Sequence, residues 1–317
     1  MIDKFGREIS YLRLSVTDKC NLRCRYCMPE DGICKKKHEE ILTEEEMIQA
    51  VEASAALGIR KVRITGGEPL VKRNILSICR QVYHIPGIEE VCLTTNGVLL
   101  SVLAEKLKEA GVRRINISLD TLNKEKYAAM TRIGSLERAL AGLEAALSAG
   151  FEKVKINTVL IGGFNDDEIE ELASLTRRYP VDVRFIELMP MYDGGDFGPE
   201  AFVPNKKVLE VLPELIPAAE DGGVARLYRF PDGKGNVGLI SPVNAHFCGT
   251  CNRLRLTADG KLKPCLHSND EYSIKGMNFE EIKEQMTKAI LAKPQCHKEL
   301  SYYQRSDAKR NMNQIGG

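Results

Sequence analysis

The 317-residue chain contains no run of about 20 consecutive apolar residues, so no membrane-spanning helix can be drawn from it. Its first residues, Met1-Ile2-Asp3-Lys4-Phe5-Gly6-Arg7-Glu8, lack the apolar stretch of a secretory signal. A cytoplasmic location is therefore the expectation. Neither sign of charge is in excess: 45 Lys and Arg stand against 44 Asp and Glu, a net charge of +1. That excludes a globally basic nucleic-acid binder, while leaving room for a local basic pocket. No low-complexity tract is present. With 43% hydrophobic and 28% charged residues, wholesale disorder is excluded as well. The length exceeds the usual single-domain size of ~150 residues, which points to one large domain or two.

Cysteine is what the sequence has in quantity. Ten occur, at positions 20, 24, 27, 34, 79, 92, 248, 251, 265 and 296. A cytosolic chain of this size needs no disulfides, so clustered cysteines point to metal or redox chemistry. Six of them form two groups of three, one near each end.

Between the groups, short β-branched runs alternate with helical stretches. Strands are expected at Tyr11–Val16, Lys61–Thr65, Glu90–Thr94, Arg114–Ser118, Val154–Leu160 and Val181–Glu187. Helices are expected at Thr43–Leu57, Asn74–His84, Leu99–Ala110, Leu136–Ala149 and Asp166–Tyr179. Thr43, with Glu46 three residues on and Gly58 past the end, has the signature of a capped helix. The alternation argues for a parallel sheet of βα units. Runs such as RLSV, KVRIT and RINIS alternate apolar and polar, so one sheet face carries polar groups. A barrel with a ligand inside fits that pattern. The periodicity breaks after Glu187. Met189–Pro204 and Pro213–Gly223 read as loops, a second region begins near Leu227, and Lys298–Gly317 reads as a polar tail.

Cys20, Cys24 and Cys27 have the spacing Cys-x3-Cys-x2-Cys in the loop after the first strand, the end at which barrel active sites lie. Three thiolates can hold one face of a [4Fe–4S] cluster and leave the fourth iron open to another molecule. The alternative is zinc, completed by Cys34 and His38, which would leave Cys20 unused. Cys248, Cys251 and Cys265 have the spacing Cys-x2-Cys-x13-Cys, with a strand at Asn252–Thr257 and a turn at Ala258-Asp259-Gly260 returning the third cysteine to the pair. On spacing alone, zinc with His267 or Cys296 as fourth ligand and an iron–sulfur cluster are equally good. Arg253 and Arg255 share one face of that strand and form a receptor for a phosphorylated ligand. Arg13, Lys61, Arg63, Lys155 and Arg184 add basic groups on the barrel strands, suggesting one deep anionic-ligand site.

The first cysteine motif, with Tyr26 before Cys27 and Gly66-Gly67-Glu68-Pro69 after the second strand, resembles the radical S-adenosylmethionine (SAM) superfamily. In the GGEP stretch, glycines admit a ligand close to the backbone and a free carboxylate or carbonyl can meet the SAM amino group. More narrowly, LRLSVTDKCNLRCRYCMP, KVRITGGEPL, LTTNG, NISLDTL, KINTVLI, RFIELMP, FCGTCNRLRLT and the terminal IGG resemble the GTP 3′,8-cyclase family, across residues 12 to 317. No motif position departs from the family pattern, and the loop Met191–Phe202 receives no role.

The resemblance implies an incomplete six-stranded (β/α) TIM-type barrel over residues 1–225, with residues 226–317 closing its open side. It implies two [4Fe–4S] clusters, one on Cys20, Cys24 and Cys27 with SAM, the other on Cys248, Cys251 and Cys265 with the guanine of the substrate. Tyr26, Gly67, Ser118 and Met189 would contact SAM. Arg13, Arg63, Thr94, Lys155, Arg253 and Arg255 would contact GTP, with Lys61 and Arg184 as further candidates. Arg13, Arg253 and Arg255 are the catalytic candidates. The implied reaction is reductive SAM cleavage, hydrogen removal from the GTP ribose C3′ and attack on C8, giving 3′,8-cyclo-7,8-dihydro-GTP for molybdenum cofactor biosynthesis. Implied partners are GTP, an external electron donor and a downstream cyclic pyranopterin monophosphate synthase. No nucleic acid or membrane is implied, and a homodimer is the candidate assembly. The terminal Gly316-Gly317 would reach the active site. Two rival readings are a two-cluster radical SAM enzyme acting on a peptide and a non-catalytic zinc-binding module. Cys34, Cys79, Cys92 and Cys296 have no assigned role.

Overall fold

The computed structural model describes residues 1–33, 36–191, 197–220, 222–244, 247–301 and 306–316. Six βα units build its centre: β1 (Tyr11–Ser15), α1 (Glu44–Ala56), β2 (Lys61–Thr65), α2 (Ile75–His84), β3 (Glu90–Thr95), α3 (Leu100–Glu109), β4 (Val112–Ser118), α4 (Lys124–Thr131), α5 (Leu136–Ser148), β5 (Lys153–Leu160), α6 (Ile169–Arg178) and β6 (Val181–Glu187). The remainder supplies α7 (Lys206–Val211), β7 (Ile216–Pro217), β8 (Arg226–Arg229), β9 (Val237–Ile240), β10 (Arg253–Leu256), β11 (Lys261–Lys263), β12 (Tyr272–Ser273), α8 (Phe279–Leu291) and α9 (Met312–Ile315).

All twelve strands form one sheet in the order β12-β11-β10-β1-β2-β3-β4-β5-β6-β9-β8-β7. Strands β10 through β9 in that order run parallel. The region after residue 225 thus joins the sheet at both edges: β10 lies beside β1, and β9 lies beside β6. The outer strands β12 and β7 are not paired to each other, so the barrel stays incomplete.

The alternation in the strands sets the two faces. Leu12, Leu14, Val62, Ile64, Val91, Leu93, Ile115, Ile117, Val154 and Ile156 join the main core with Met47, Ile78, Val82, Leu107 and Leu143 from the helices. The intervening positions carry Tyr11, Arg13, Lys61, Arg63, Asn116, Lys155 and Asn157 toward the interior cavity.

Capping chemistry fixes α1: Thr43 Oγ1 accepts from Glu46 N at 3.2 Å, and the Glu46 carboxylate accepts from Thr43 N at 2.8 Å. The same signal, Asn278 with Glu281, starts α8, which the sequence reading passed over. The reading also left out α4, started by Asn123, which accepts from Lys126 N. Part of Pro213–Gly223, read as a loop, forms the two-residue strand β7, because it pairs with β8. The polar tail includes α9, whose Asn313 and Ile315 are buried.

Candidate active site

The first cysteine loop leaves β1 and is held from two sides. On one side, Arg23 N and Arg25 N donate to the carbonyls of Thr131 and Met130 at 3.0 Å each, at the end of α4. Arg132, whose φ is +63°, reaches back with Nη1 to the carbonyl of Arg23 at 2.8 Å. On the other side, Gly67 N donates to the Thr17 carbonyl at 2.7 Å and Glu68 N to that of Lys19 at 2.8 Å. A Cβ on Gly67 would press into the Lys19 carbonyl oxygen and stand 2.7 Å from that of Asp18. Gly67 is therefore required by the cysteine loop packed over it.

In the GGEP stretch the Glu68 carboxylate accepts from Thr95 Oγ1 at 2.7 Å, Asn96 N at 2.7 Å and Leu70 N at 3.0 Å, which leaves the backbone carbonyls of the stretch as the other expected partner for the SAM amino group. Burial pushes the Glu68 pKa up to about 7, and these hydrogen bonds offset that only in part.

Cys24, Tyr26 and Ser118 line one small cavity of about 30 Å³. Tyr26 is pinned by its hydroxyl, which donates to Asp120 at 2.9 Å. Burial raises Asp120 to about 6. It also raises the thiols, to about 11 at Cys20 and about 12 at Cys27. Met189 is placed apart from these, on the larger cavity.

That cavity, about 320 Å³, lies inside the barrel and is lined by all three cysteines of the second group. Its floor is a row of arginines. Arg255, Arg13 and Arg63 stand opposite one another on the adjacent strands β10, β1 and β2, and Arg253, Tyr11 and Lys61 form the next row. Lys155 and Arg184 line the same space. Burial and then the neighbouring guanidinium charges lower Arg13 to about 10, and burial with the charges of Arg13 and Arg253 lowers Arg255 as well. Like charges so arranged repel, and an anion between them relieves the repulsion. Thr94 stands on β3 opposite Asn116. Lys61 is paired with Glu90 at 2.7 Å, which offsets its charge for a ligand.

The β10–β11 hairpin brings Cys265 back, two residues beyond the Arg255–Lys263 pair. Burial raises the Cys251 thiol, but the charges of Arg253 and Lys293 outweigh it and leave it at about 7. The sequence reading missed Lys293, a lone lysine in an amphipathic stretch. It is 4% exposed, and its Nζ donates to the carbonyls of Arg253 at 2.9 Å and Pro264 at 2.8 Å. It also missed Arg7, which donates to the Cys248 carbonyl at 2.8 Å.

Among the described residues, no three His, Cys, Asp or Glu side chains are placed to share one metal ion. Cys296 is exposed, and His267 Nδ1 lies 3.2 Å from Ser306 Oγ. Cys34 lies outside the described residues. Cys79 and Cys92 are buried away from both triads' loops, in α2 and β3. Cys248, Cys251 and Cys265 all line the large cavity and Cys24 the small one; three thiols are the number that holds one face of a cluster and leaves an iron open to another molecule.

The tail enters the same space. Gly316 has φ +87°, and a Cβ there would stand 2.7 Å from Thr65 Oγ1 and 3.0 Å from Ser15 Cβ. Its carbonyl accepts from Arg255 Nη1 at 2.8 Å. Asn313 Nδ2 donates to the Asp18 carbonyl at 3.2 Å, beside the first cysteine loop. Gly317 lies outside the described residues.

Residues 14–176 match the model of the radical SAM superfamily, and residues 181–299 match that of Molybdenum Cofactor Synthesis C. Over 100% of both chains, the sequence is 49% identical to a GTP 3′,8-cyclase of Alkaliphilus oremlandii and 48% identical to one of Alkaliphilus metalliredigens. The chain belongs to the GTP 3′,8-cyclase family. A GTP 3′,8-cyclase of Clostridium botulinum is 42% identical, again over the full length of both chains. Among solved structures, Streptococcus suis SuiB bound to S-adenosylmethionine superposes with a TM-score of 0.62 at 14% identity, over 86% of this chain and 64% of that one. Native anSMEcpe with bound AdoMet gives 0.58 at 16% identity, over 92% and 83%. These two share the fold, the incomplete barrel of radical SAM proteins. No helix of the described residues is long and apolar enough to cross a membrane.

Proposed function

We propose that this radical SAM enzyme cyclises GTP to (8S)-3′,8-cyclo-7,8-dihydroguanosine 5′-triphosphate, the first step of molybdenum cofactor biosynthesis. The row Arg255–Arg13–Arg63 carries the reading, because it faces the cavity that also holds Cys248, Cys251 and Cys265. A triphosphate supplies the negative charge that this row lacks, and guanidinium forks bind phosphate oxygens in pairs.

In this reading Cys20, Cys24 and Cys27 hold one [4Fe–4S] cluster, with SAM against Tyr26, Gly67, Ser118 and Met189. Cys248, Cys251 and Cys265 hold a second, beside the guanine. Cluster-bound SAM supplies, on one-electron reduction, a carbon radical able to remove hydrogen from the ribose. The chain's own part is placement. Arg13, Arg63, Lys155, Arg253 and Arg255 fix the triphosphate, with Thr94 nearby, and Arg184 and Lys61 extend the cationic wall. Met189 lines the large cavity and the tail meets it at Gly316, whose carbonyl accepts from Arg255, so both would keep water from the bound nucleotide. In this reading residues 1–225 make the barrel unit, and residues 226–317 are a second unit by sequence whose β9 and β10 continue the same sheet at its two edges. The chemistry calls for an external electron donor and a following enzyme that rearranges the cyclised nucleotide. A homodimer is the assembly to test, and the cytoplasm is the expected compartment.

Anaerobic turnover with SAM, GTP and a reductant tests the reading. The expected products are 5′-deoxyadenosine and a cyclised nucleotide, from a brown protein holding about eight irons and no zinc. About four irons would remove the second cluster. SAM cleavage that ignores GTP and yields no cyclised nucleotide would sink the substrate assignment.

A further inference from the structure

One buried cation has no carboxylate to answer it. Lys293 follows the end of α8, whose Ile282, Met286, Ala289 and Ile290 belong to the main core, and Lys293 N donates to the Ile290 carbonyl at 3.2 Å. The side chain is 4% exposed and lies against the large cavity. An ammonium has three donors, and here all are committed. They meet the carbonyl of Arg253 at 2.9 Å, that of Pro264 at 2.8 Å and the sulfur of Cys251. Among the described residues no carboxylate pairs with Lys293. A charge so buried is costly unless an opposite charge stands beside it.

The negative charge within its reach is that of the second triad. Burial lowers the Lys293 pKa, and Cys251 and Cys265, as thiolates, oppose that. The contacts reach both arms of the hairpin, because Arg253 lies two residues past Cys251 and Pro264 immediately precedes Cys265. The third arm is held from the same segment. Arg7 donates through Nη1 to the carbonyls of Cys248 at 2.8 Å and Gln295 at 3.0 Å, and through Nη2 to that of Pro294 at 2.7 Å. Lys293-Pro294-Gln295 thus touches every arm of the triad, directly or through Arg7. The two cations differ in one respect. Arg7 is paired with Asp3 at 2.6 Å, so its charge is answered, and it acts as a brace. Lys293 brings a positive charge that no carboxylate cancels.

Two kinds of anion could use that charge, a phosphate in the cavity or a cluster on the triad. A phosphate oxygen needs a donor, and Lys293 has none to spare. A cluster on three thiolates takes on one further negative charge when it is reduced by one electron, and a fixed cation at its ligands favours that form. We infer that Lys293 is a positioning residue of the second triad: its charge offsets that of the cluster held by Cys248, Cys251 and Cys265 and raises the reduction potential of that cluster, while its hydrogen bonds set the Cys251 and Cys265 arms. This inference rests on the second cluster of the proposed function and adds to it the group that tunes its affinity for an electron.

The test is a redox titration of the reconstituted holoenzyme followed by electron paramagnetic resonance, with iron counted on the same preparation. Added SAM perturbs the signal of the first cluster and so tells the two apart. Lys293→Gln and Lys293→Met remove the charge, and Lys293→Arg keeps it. In the neutral variants the second cluster should become about tenfold harder to reduce, a potential about 59 mV lower for one electron. The first cluster should be unchanged, and Lys293→Arg should restore most of the difference. If both neutral variants lose the iron of the second triad while Lys293→Arg retains it, charge is what holds the cluster, and the inference stands. Loss of that iron in all three variants overturns it, because Lys293 would then serve by shape alone. Neutral variants that keep about eight irons and the wild-type potential overturn it as well, whatever happens to GTP affinity. A wild type with about four irons overturns the proposed second cluster itself, and this inference with it.

Discussion

Glu68 shows how far one buried carboxyl is committed by its neighbours. Its fold-state pKa, about 7, lies above the ordinary 4.5 because burial outweighs three hydrogen bonds. The folded chain therefore holds this proton more tightly than the unfolded chain does. The stabilisation is fully present below about 4.5 and is lost as pH rises to about 7, an effect of about 3 kcal/mol. Denaturant unfolding of wild type and Glu68→Gln across that window should show the wild type losing stability relative to the variant as pH rises. Parallel curves would mean that Glu68 titrates normally. Arg255 carries a different load, since it donates to Gly316 and faces Arg13. Arg255→Ala should weaken GTP more than guanosine, by about 1.5–3 kcal/mol, the worth of a charge-assisted hydrogen bond. Titration calorimetry with both ligands decides it, and equal losses would show that the arginine does not meet phosphate.

Two elements of similar appearance in the sequence have different consequences when damaged. The loop after β2 supports the first cysteine loop through Gly67, whose missing side chain leaves room for the carbonyls of Asp18 and Lys19. Gly67→Ala should displace that loop and lower the iron bound by the first triad, while the second triad keeps its share. Iron analysis and the visible spectrum read this out, and full iron content would show that the loop can shift without cost. The cap of α1 is remote from both triads. Thr43→Ala should cost about 1 kcal/mol of stability and no iron. The contrast between these two variants separates support of the site from support of the fold.

At the scale of the whole molecule, the tail ties the two ends of the chain together. Arg310 pairs with Asp259 at 3.0 Å, on the turn after β10, and with Glu271 at 2.5 Å, in the loop just before β12. Beyond it, Met312 and Ile315 pack with Met189, Met191 and Leu266. This anchoring delivers Gly316 to Thr65, Ser15 and Arg255. Deleting Gly316 and Gly317 should leave both clusters and SAM binding intact while cyclisation of GTP collapses. Iron content and product yield on one preparation make the comparison. A truncated chain that forms product at the full rate would make the tail a passive end.

Much of this molecule was legible one residue at a time. The βα order, the capped start of α1 and the two cysteine groups depend on local periodicity and spacing, which neighbours along the chain impose. Placing Lys61 with Arg63, and Arg253 with Arg255, on shared faces needs only the two-residue repeat of a strand. Register is another matter. That Arg255, Arg13 and Arg63 form one row depends on parallel pairings between segments up to about 240 residues apart, which no local pattern encodes. The same holds for Lys293 and Arg7 at the second cysteine group, and for Gly67, whose nearest atoms belong to the cysteine loop. Composition and period decided which side chains face inward. Only the packing of distant strands decided which of them meet, because hydrogen-bond register between strands is a property of the assembled sheet.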